Sequence, residues 1–145
     1  MKKLLLFALI TIAFFLVGCK QGIEQAPKAV IDTFETMFSD ATYVEWSRHA
    51  SVFKVGFYHD GHEKEAQFDS KGAWLRTKTK MSIYEVPTSV MKAAHKSSNG
   101  TIDNVYLFEQ SNGAVAYYMV EYRRRAAFFT KQLHVLPDGT IFCAL

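Results

Sequence analysis

The chain is poor in residues that break or staple structure. Three prolines and eight glycines in 145 residues exclude a collagen-like or low-complexity chain. Two cysteines, one of them claimed below by the leader, exclude an internal disulfide framework. Packing must therefore hold the domain together. Charge of one sign is also scarce: 17 Lys+Arg face 14 Asp+Glu, for a formal net charge of +3. Removal of Lys2 and Lys3 with the leader leaves +1 (3 − 2). So small a charge supplies no long-range field for steering a polyanion, which excludes nucleic acid as the expected partner. A single long apolar run excludes a polytopic membrane protein. There is no G-x-S-x-G, no H-E-x-x-H and no glycine-rich phosphate loop. What the chain does have is apolar and aromatic substance, 49% and 14% of its residues, enough for one domain.

The one long apolar run opens the chain. Met1-Lys2-Lys3 is a short basic start, and residues 4–17 are apolar except for Thr11. Basic start, apolar stretch and small residues before a cut make a signal peptide. About 14 apolar residues fall short of the ~20 that cross a bilayer as a helix. Leu16-Val17-Gly18-Cys19 resembles the bacterial lipobox, in which the cysteine is acylated before cleavage. The expected organisation is a lipoprotein signal peptide over residues 1–18, a lipidated Cys19 and a polar tether over residues 19–26. The expected location is the cell envelope, on the periplasmic face or the outer surface, with the leaflet left open. Cys143 then stands alone in the apolar run Ile141-Phe142-Cys143-Ala144-Leu145 and reads as a buried, inert thiol in preference to one that pairs between molecules.

The remainder reads twice. Pro27-Lys28-Ala29-Val30 has a counterpart sixty residues on in Pro87-Thr88-Ser89-Val90, and proline suits a first helical turn. Val30, Ile31, Phe34, Met37 and Phe38 then follow helical spacing, as do Val90, Met91 and Ala94 until Asn99-Gly100. After each helix the pattern alternates. Val44 and Trp46, then Phe53, Val55 and Phe57, then Ala66 and Phe68 point one way. Val105 and Leu107, then Tyr118, Val120 and Tyr122, then Leu133 and Val135 answer them. Asp60-Gly61, Ser70-Lys71-Gly72 and Pro137-Asp138-Gly139 are the turns. The expected fold is α+β. It is a tandem repeat of a helix plus about four antiparallel strands, residues 27–85 and 86–145, the strands forming a continuous or side-by-side antiparallel sheet with both helices on one face. Trp46, Phe57, Phe68 and Val120 are the expected core.

Several stretches in this order carry a family resemblance. They are Pro27…Val30, Ala41-Thr42-Tyr43-Val44-Glu45-Trp46, Phe53-Lys54-Val55-Gly56-Phe57 and the segment from Ala66-Gln67-Phe68 through Gly72 to Trp74-Leu75. Val86-Pro87…Val90 and Val135-Leu136-Pro137-Asp138-Gly139 complete the set. Over residues 26–145 the chain resembles the PepSY-like family of exported bacterial proteins, grouped with β-lactamase-inhibitor-like folds. The resemblance implies a helix-plus-sheet unit in tandem, a lipoprotein of Bacteroidetes-type cells and no established activity. The disulfides of the secreted inhibitors are missing here.

Three classes of function compete. Two imidazoles and a carboxylate at His59, Asp60 and His62 could grip a metal, which allows an envelope metal protein or enzyme. No catalytic residue and no cofactor are expected otherwise. Arg123-Arg124-Arg125 is either a solvated hairpin tip or a contact for an anionic partner; it is smaller than the roughly four to eight charges of a lipid-binding cluster. The aromatic excess points elsewhere. If Tyr118, Val120 and Tyr122 face the helices, Tyr106, Phe108, Tyr117 and Met119 lie on the other face, either as an exposed apolar patch of the kind that marks interaction sites or covered by a loop or the tether. The leading expectation is a lipid-anchored, non-enzymatic envelope binding module that takes a protein or peptide there. A structural accessory lipoprotein is the third class.

Overall fold

The computed structural model describes residues 26–111, 114–124 and 129–145. Cys19, the leader, nearly all of the tether and Arg125 lie outside these residues. The elements run α1 (Lys28–Met37), β1 (Thr42–His49), β2 (Val52–His59), β3 (His62–Asp69), β4 (Trp74–Met81), α2 (Thr88–Ser98), β5 (Gly100–Gln110), β6 (Tyr117–Arg124), β7 (Lys131–Val135) and β8 (Ile141–Ala144).

Each helix begins after a proline and buries one narrow stripe. Val30 and Phe34 are buried on α1, and Phe38 just past its end joins them. Val90, Ala94 and Ser98 are buried on α2. A spacing of four returns the side chain to the same face of the helix. Asn99, left-handed at φ 46°, terminates α2 in the conformation that asparagine tolerates better than most residues. Between β2 and β3, Asp60 and Gly61 take φ 52° and 78°, which suits the tight hairpin that pairs His59 with His62. Gly72, in the turn before β4, has φ 90°, and a Cβ there would lie 2.6 Å from the Ala29 carbonyl oxygen of α1. That turn therefore fits against the helix only as glycine.

The expected tandem repeat of a helix plus four strands is corrected by the sheet. All eight strands belong to one continuous antiparallel sheet in the order β1 to β8, with two helices among the described residues. Pairing runs unbroken through β4 and β5, from Arg76 opposite Gln110 to Met81 opposite Val105. Alternation in sequence tells which face a side chain takes, not which strand lies beside it. A free β4 edge would also leave a row of amides and carbonyls unpaired.

Directly opposed residues share a face, so register carries that face across the sheet. Val55 opposes Ala66, which opposes Thr77. Two residues along β4, Thr79 opposes Leu107, which opposes Tyr118, which opposes Val135. Both helices lie over this face. Under α1, the ring of Phe34 meets Phe57 at 5.0 Å, Trp46 at 5.3 Å, Phe38 at 5.6 Å and Phe68 at 6.5 Å. Under α2 a second cluster gathers Val90, Ala94, Val105, Tyr118, Val120 and Val135. Phe57, Phe68 and Val120 are buried, whereas Trp46 is half-buried on the outermost strand. Val44 stays 40% exposed because the strand bulges between Thr42 and Glu45, with Tyr43 at φ 54°.

Candidate binding face

The face turned away from the helices is organised in rows that cross the sheet. One row reads Glu45, Gly56, Glu65, Lys78, Phe108, Tyr117, each residue directly opposite the next. Its neighbour reads Lys80, Tyr106, Met119, His134, Cys143. Tyr106, Phe108, Tyr117 and Met119 thus share this face.

Their exposure differs from the sequence expectation. Tyr106 and Tyr117 are half-buried, but Phe108 and Met119 are only 6% and 8% exposed. Covering comes from neighbours distant in sequence. The Tyr117 ring stacks on Phe108 at 5.1 Å and 4°, and the Arg76 guanidinium stands 5.8 Å from the centre of the Phe108 ring. Met119 lies between Tyr106 and His134 in its row.

Two further rings extend the patch. His134 lies 5.2 Å from Tyr117. Phe142 meets Tyr117 edge-on at 5.4 Å and His134 at 5.7 Å, and it stays 53% exposed. Phe108, Tyr117, His134 and Phe142 therefore form one aromatic stripe over β5 to β8. His134 could have been found by its alternation with Leu133 and Val135. Phe142 could not, because an irregularity in the β7–β8 pairing breaks the alternation. Burial holds the His134 imidazole below its usual pKa, and its Nε2 is buried without a hydrogen-bond partner. The Tyr106 hydroxyl is pushed up, chiefly by burial and then by Glu121 and Glu63. Lys78 Nζ sits 3.9 Å from the centre of the Tyr106 ring, a cation–π contact.

The β1 to β4 side of the same face is polar. Lys80 pairs with Glu63 at 3.7 Å and Lys54 with Glu65 at 3.9 Å. Arg76 Nε donates to Gln67 Oε1 at 2.9 Å, and Gln67 Nε2 donates to Glu65 Oε1 at 3.0 Å. Between Glu45 and Glu65 the side-chain layer is interrupted at Gly56, and a hollow of about 500 Å³ opens there.

The histidine turn does not gather as one set. His62 Nε2 lies 3.0 Å from Glu85 Oε2, and its Nδ1 lies 2.8 Å from the Asp60 carbonyl oxygen. The hydrogen bond from His62, with one from the Ser82 backbone, holds the Glu85 carboxyl below its usual range. His59 instead faces Asp40 at Nε2 (2.9 Å) and Asp60 at Nδ1 (3.0 Å). The second contact is close but poorly aligned, since Nδ1 makes no hydrogen bond. The trio able to offer ligand atoms within 4.8 Å of one another is Asp40, His59 and Asp60. His62 is absent from it because Glu85 holds its ring elsewhere.

The arginine run is partly engaged within the chain. Arg123 Nε and Nη2 donate to Asp103 at 2.7 and 2.9 Å, which holds the Asp103 carboxyl down. Arg124 Nε donates to the Ser98 carbonyl at the end of α2, at 3.3 Å. Cys143 is half-exposed rather than buried, opposite His134 on the face turned away from the helices. Among the described residues, no helix is long and apolar enough to cross a membrane.

No family model matches the chain, and no curated protein matches it. Solved structures do resemble it. A DUF2874 family protein from Bacteroides uniformis is 26% identical, with a TM-score of 0.78 over 83% of this chain and 89% of that one. A BLIP-like protein from Bacteroides fragilis is 24% identical, with a TM-score of 0.76 over 86% of this chain and 89% of that one. A candidate periplasmic protein from Bacteroides eggerthii is 20% identical, with a TM-score of 0.77 over 83% of this chain and 88% of that one. The fold is BLIP-like, which agrees with the inhibitor-like part of the sequence resemblance.

Proposed function

We propose that the chain is a lipid-anchored, non-enzymatic binding module of the cell envelope, kin to PepSY-like lipoproteins, which holds a protein or peptide on the sheet face opposite its helices. The aromatic stripe of Phe108, Tyr117, His134 and Phe142 carries this reading. It runs over four strands on a face that neither helix covers, and its outermost ring remains 53% exposed. Aromatic residues are enriched at binding interfaces. The likeness to a BLIP-like protein and to a candidate periplasmic one supports the same compartment and mode.

The test is retention of an envelope partner by purified protein, with the partner identified by mass spectrometry. A central interfacial tyrosine contributes about 2 kcal/mol, so Tyr117→Ala is expected to weaken binding about thirtyfold. Its melting temperature should fall by only a few degrees, from the lost stacking on Phe108, and Lys71→Ala should behave as wild type. Equal retention by Tyr117→Ala and wild type overturns the sheet face as the site.

The anchor has its own test. More than one acyl chain is needed for stable membrane attachment, and Cys19 is the residue placed to carry them. Cys19→Ser is expected to abolish incorporation of a fatty-acid probe and to leave the protein uncleaved or soluble. Label persisting on the variant contradicts the anchor.

A further inference from the structure

Gly56 has no structural reason to be glycine. The other described glycines have one: a Cβ at Gly72, Gly100 or Gly139 would collide with a neighbouring carbonyl oxygen, and Gly61 takes φ 78° in a turn. Gly56 sits inside β2 with no left-handed φ, and a Cβ added there would meet nothing within 4 Å. A glycine in a strand interior weakens the strand and often marks a place where something else approaches closely.

The residues directly across from Gly56 on either side are both glutamates, Glu45 and Glu65. With Tyr43 and Tyr58 they border the hollow of about 500 Å³. Of the three lysines that border it, Lys64 lies opposite Phe57 and shares the helix-side face with it, Lys80 pairs with Glu63, and Lys78 lies over the Tyr106 ring. Glu65 is shared between Lys54 and Gln67. Glu45 has no hydrogen-bond or ion-pair partner among the described residues, and it stands at the rim beside two tyrosines whose faces attract cations.

We infer that the hollow over Gly56 receives the arginine or lysine side chain of a protein partner. Its charged end would meet the Glu45 carboxylate, and its stem would occupy the space where Gly56 lacks a side chain. This rests on the proposed binding face and gives its partner a chemistry: a basic residue at the β1–β3 end and apolar surface at the β5–β8 end.

Arginine amide is the probe, with the neutral isostere citrulline amide as control, followed by backbone amide shifts. Arginine amide is expected to move the Glu45, Gly56 and Glu65 signals to saturation, and citrulline amide is not. Glu45→Gln should weaken the response about two- to fivefold, the upper end of what a single exposed ion pair contributes. Gly56→Val fills the hollow with a residue suited to strands; it should abolish the response while leaving the melting temperature unchanged or higher. Three results each overturn the inference: no saturable response in wild type, an equal response to citrulline amide, or a response that survives Gly56→Val. The parent reading fails in a different assay, by partner retention in Tyr117→Ala, so the two failures are distinguishable.

Discussion

Phe34→Ala is expected to cost about 3–5 kcal/mol, a large part of the roughly 5–15 kcal/mol that holds a domain folded. Phe34 is 4% exposed and is the one ring in contact with Phe38, Trp46, Phe57 and Phe68 together. Its removal leaves a cavity bordered by rings that α1 and three strands hold in place, so collapse cannot fill it well. Three of the four contacts are edge-on, a geometry that adds to simple burial. Urea unfolding followed by tryptophan emission, from Trp46 and Trp74 in the same cluster, reads the effect as a lowered midpoint at constant slope. Lys54→Ala, at a half-exposed position on the opposite face, is the control. A Phe34→Ala midpoint no lower than that of Lys54→Ala would contradict the placement of α1.

Gly72→Ala is expected to cost about 2 kcal/mol or more, because two independent obstacles meet at one Cβ. The backbone is left-handed at φ 90°, and the added carbon would lie 2.6 Å from the Ala29 carbonyl oxygen. Backbone, unlike a flexible side chain, cannot swing away, so either the turn or the first turn of α1 must shift. A melting temperature lower by roughly 6–10 °C is the expected reading. Gly56→Ala is the comparison: with free space and no left-handed φ, it should be neutral or stabilise by about 0.4–1 kcal/mol. Equal effects at the two positions would contradict both assignments.

Much of the architecture was legible because its signals are local. Val30 and Phe34 sit four apart, Phe53, Val55 and Phe57 alternate, and Asp60-Gly61 supplies two successive positive φ angles. The choice between a continuous sheet and two side-by-side ones was not legible, since nothing in the alternation of β4 or β5 identifies its neighbour. The same limit explains Phe108 and Met119: their face followed from parity, but their cover comes from Arg76, Tyr117 and other residues on different strands. Phe142 was hidden by the pairing irregularity of β8, and Asp40 by its distance in sequence from His59. Gly56 was visible as a residue of β2, but a missing side chain becomes a hollow only between the two glutamates that register places beside it.

The layout of the core bears on cooperativity. Beneath one sheet lie two apolar clusters, one under α1 and one under α2. Between them the middle of β4 contributes Thr77 and Thr79, both buried, hydroxyl-bearing side chains rather than large apolar ones, while its ends carry Trp74 on the α1 cluster and Met81 on the α2 cluster. Of the large apolar side chains of β4, Met81 alone packs against the α2 cluster across the hydrogen bonds of β4 to β5, so apolar contact is thinner along that line than within either cluster. Local opening concentrates where buried apolar contacts are few, so this seam is the natural boundary between two cooperative blocks. Both tryptophans of the chain, Trp46 and Trp74, pack against the α1 cluster. Tryptophan emission therefore follows one block, whereas circular dichroism follows both, and a single smooth fluorescence transition describes only the N-terminal part of the sheet.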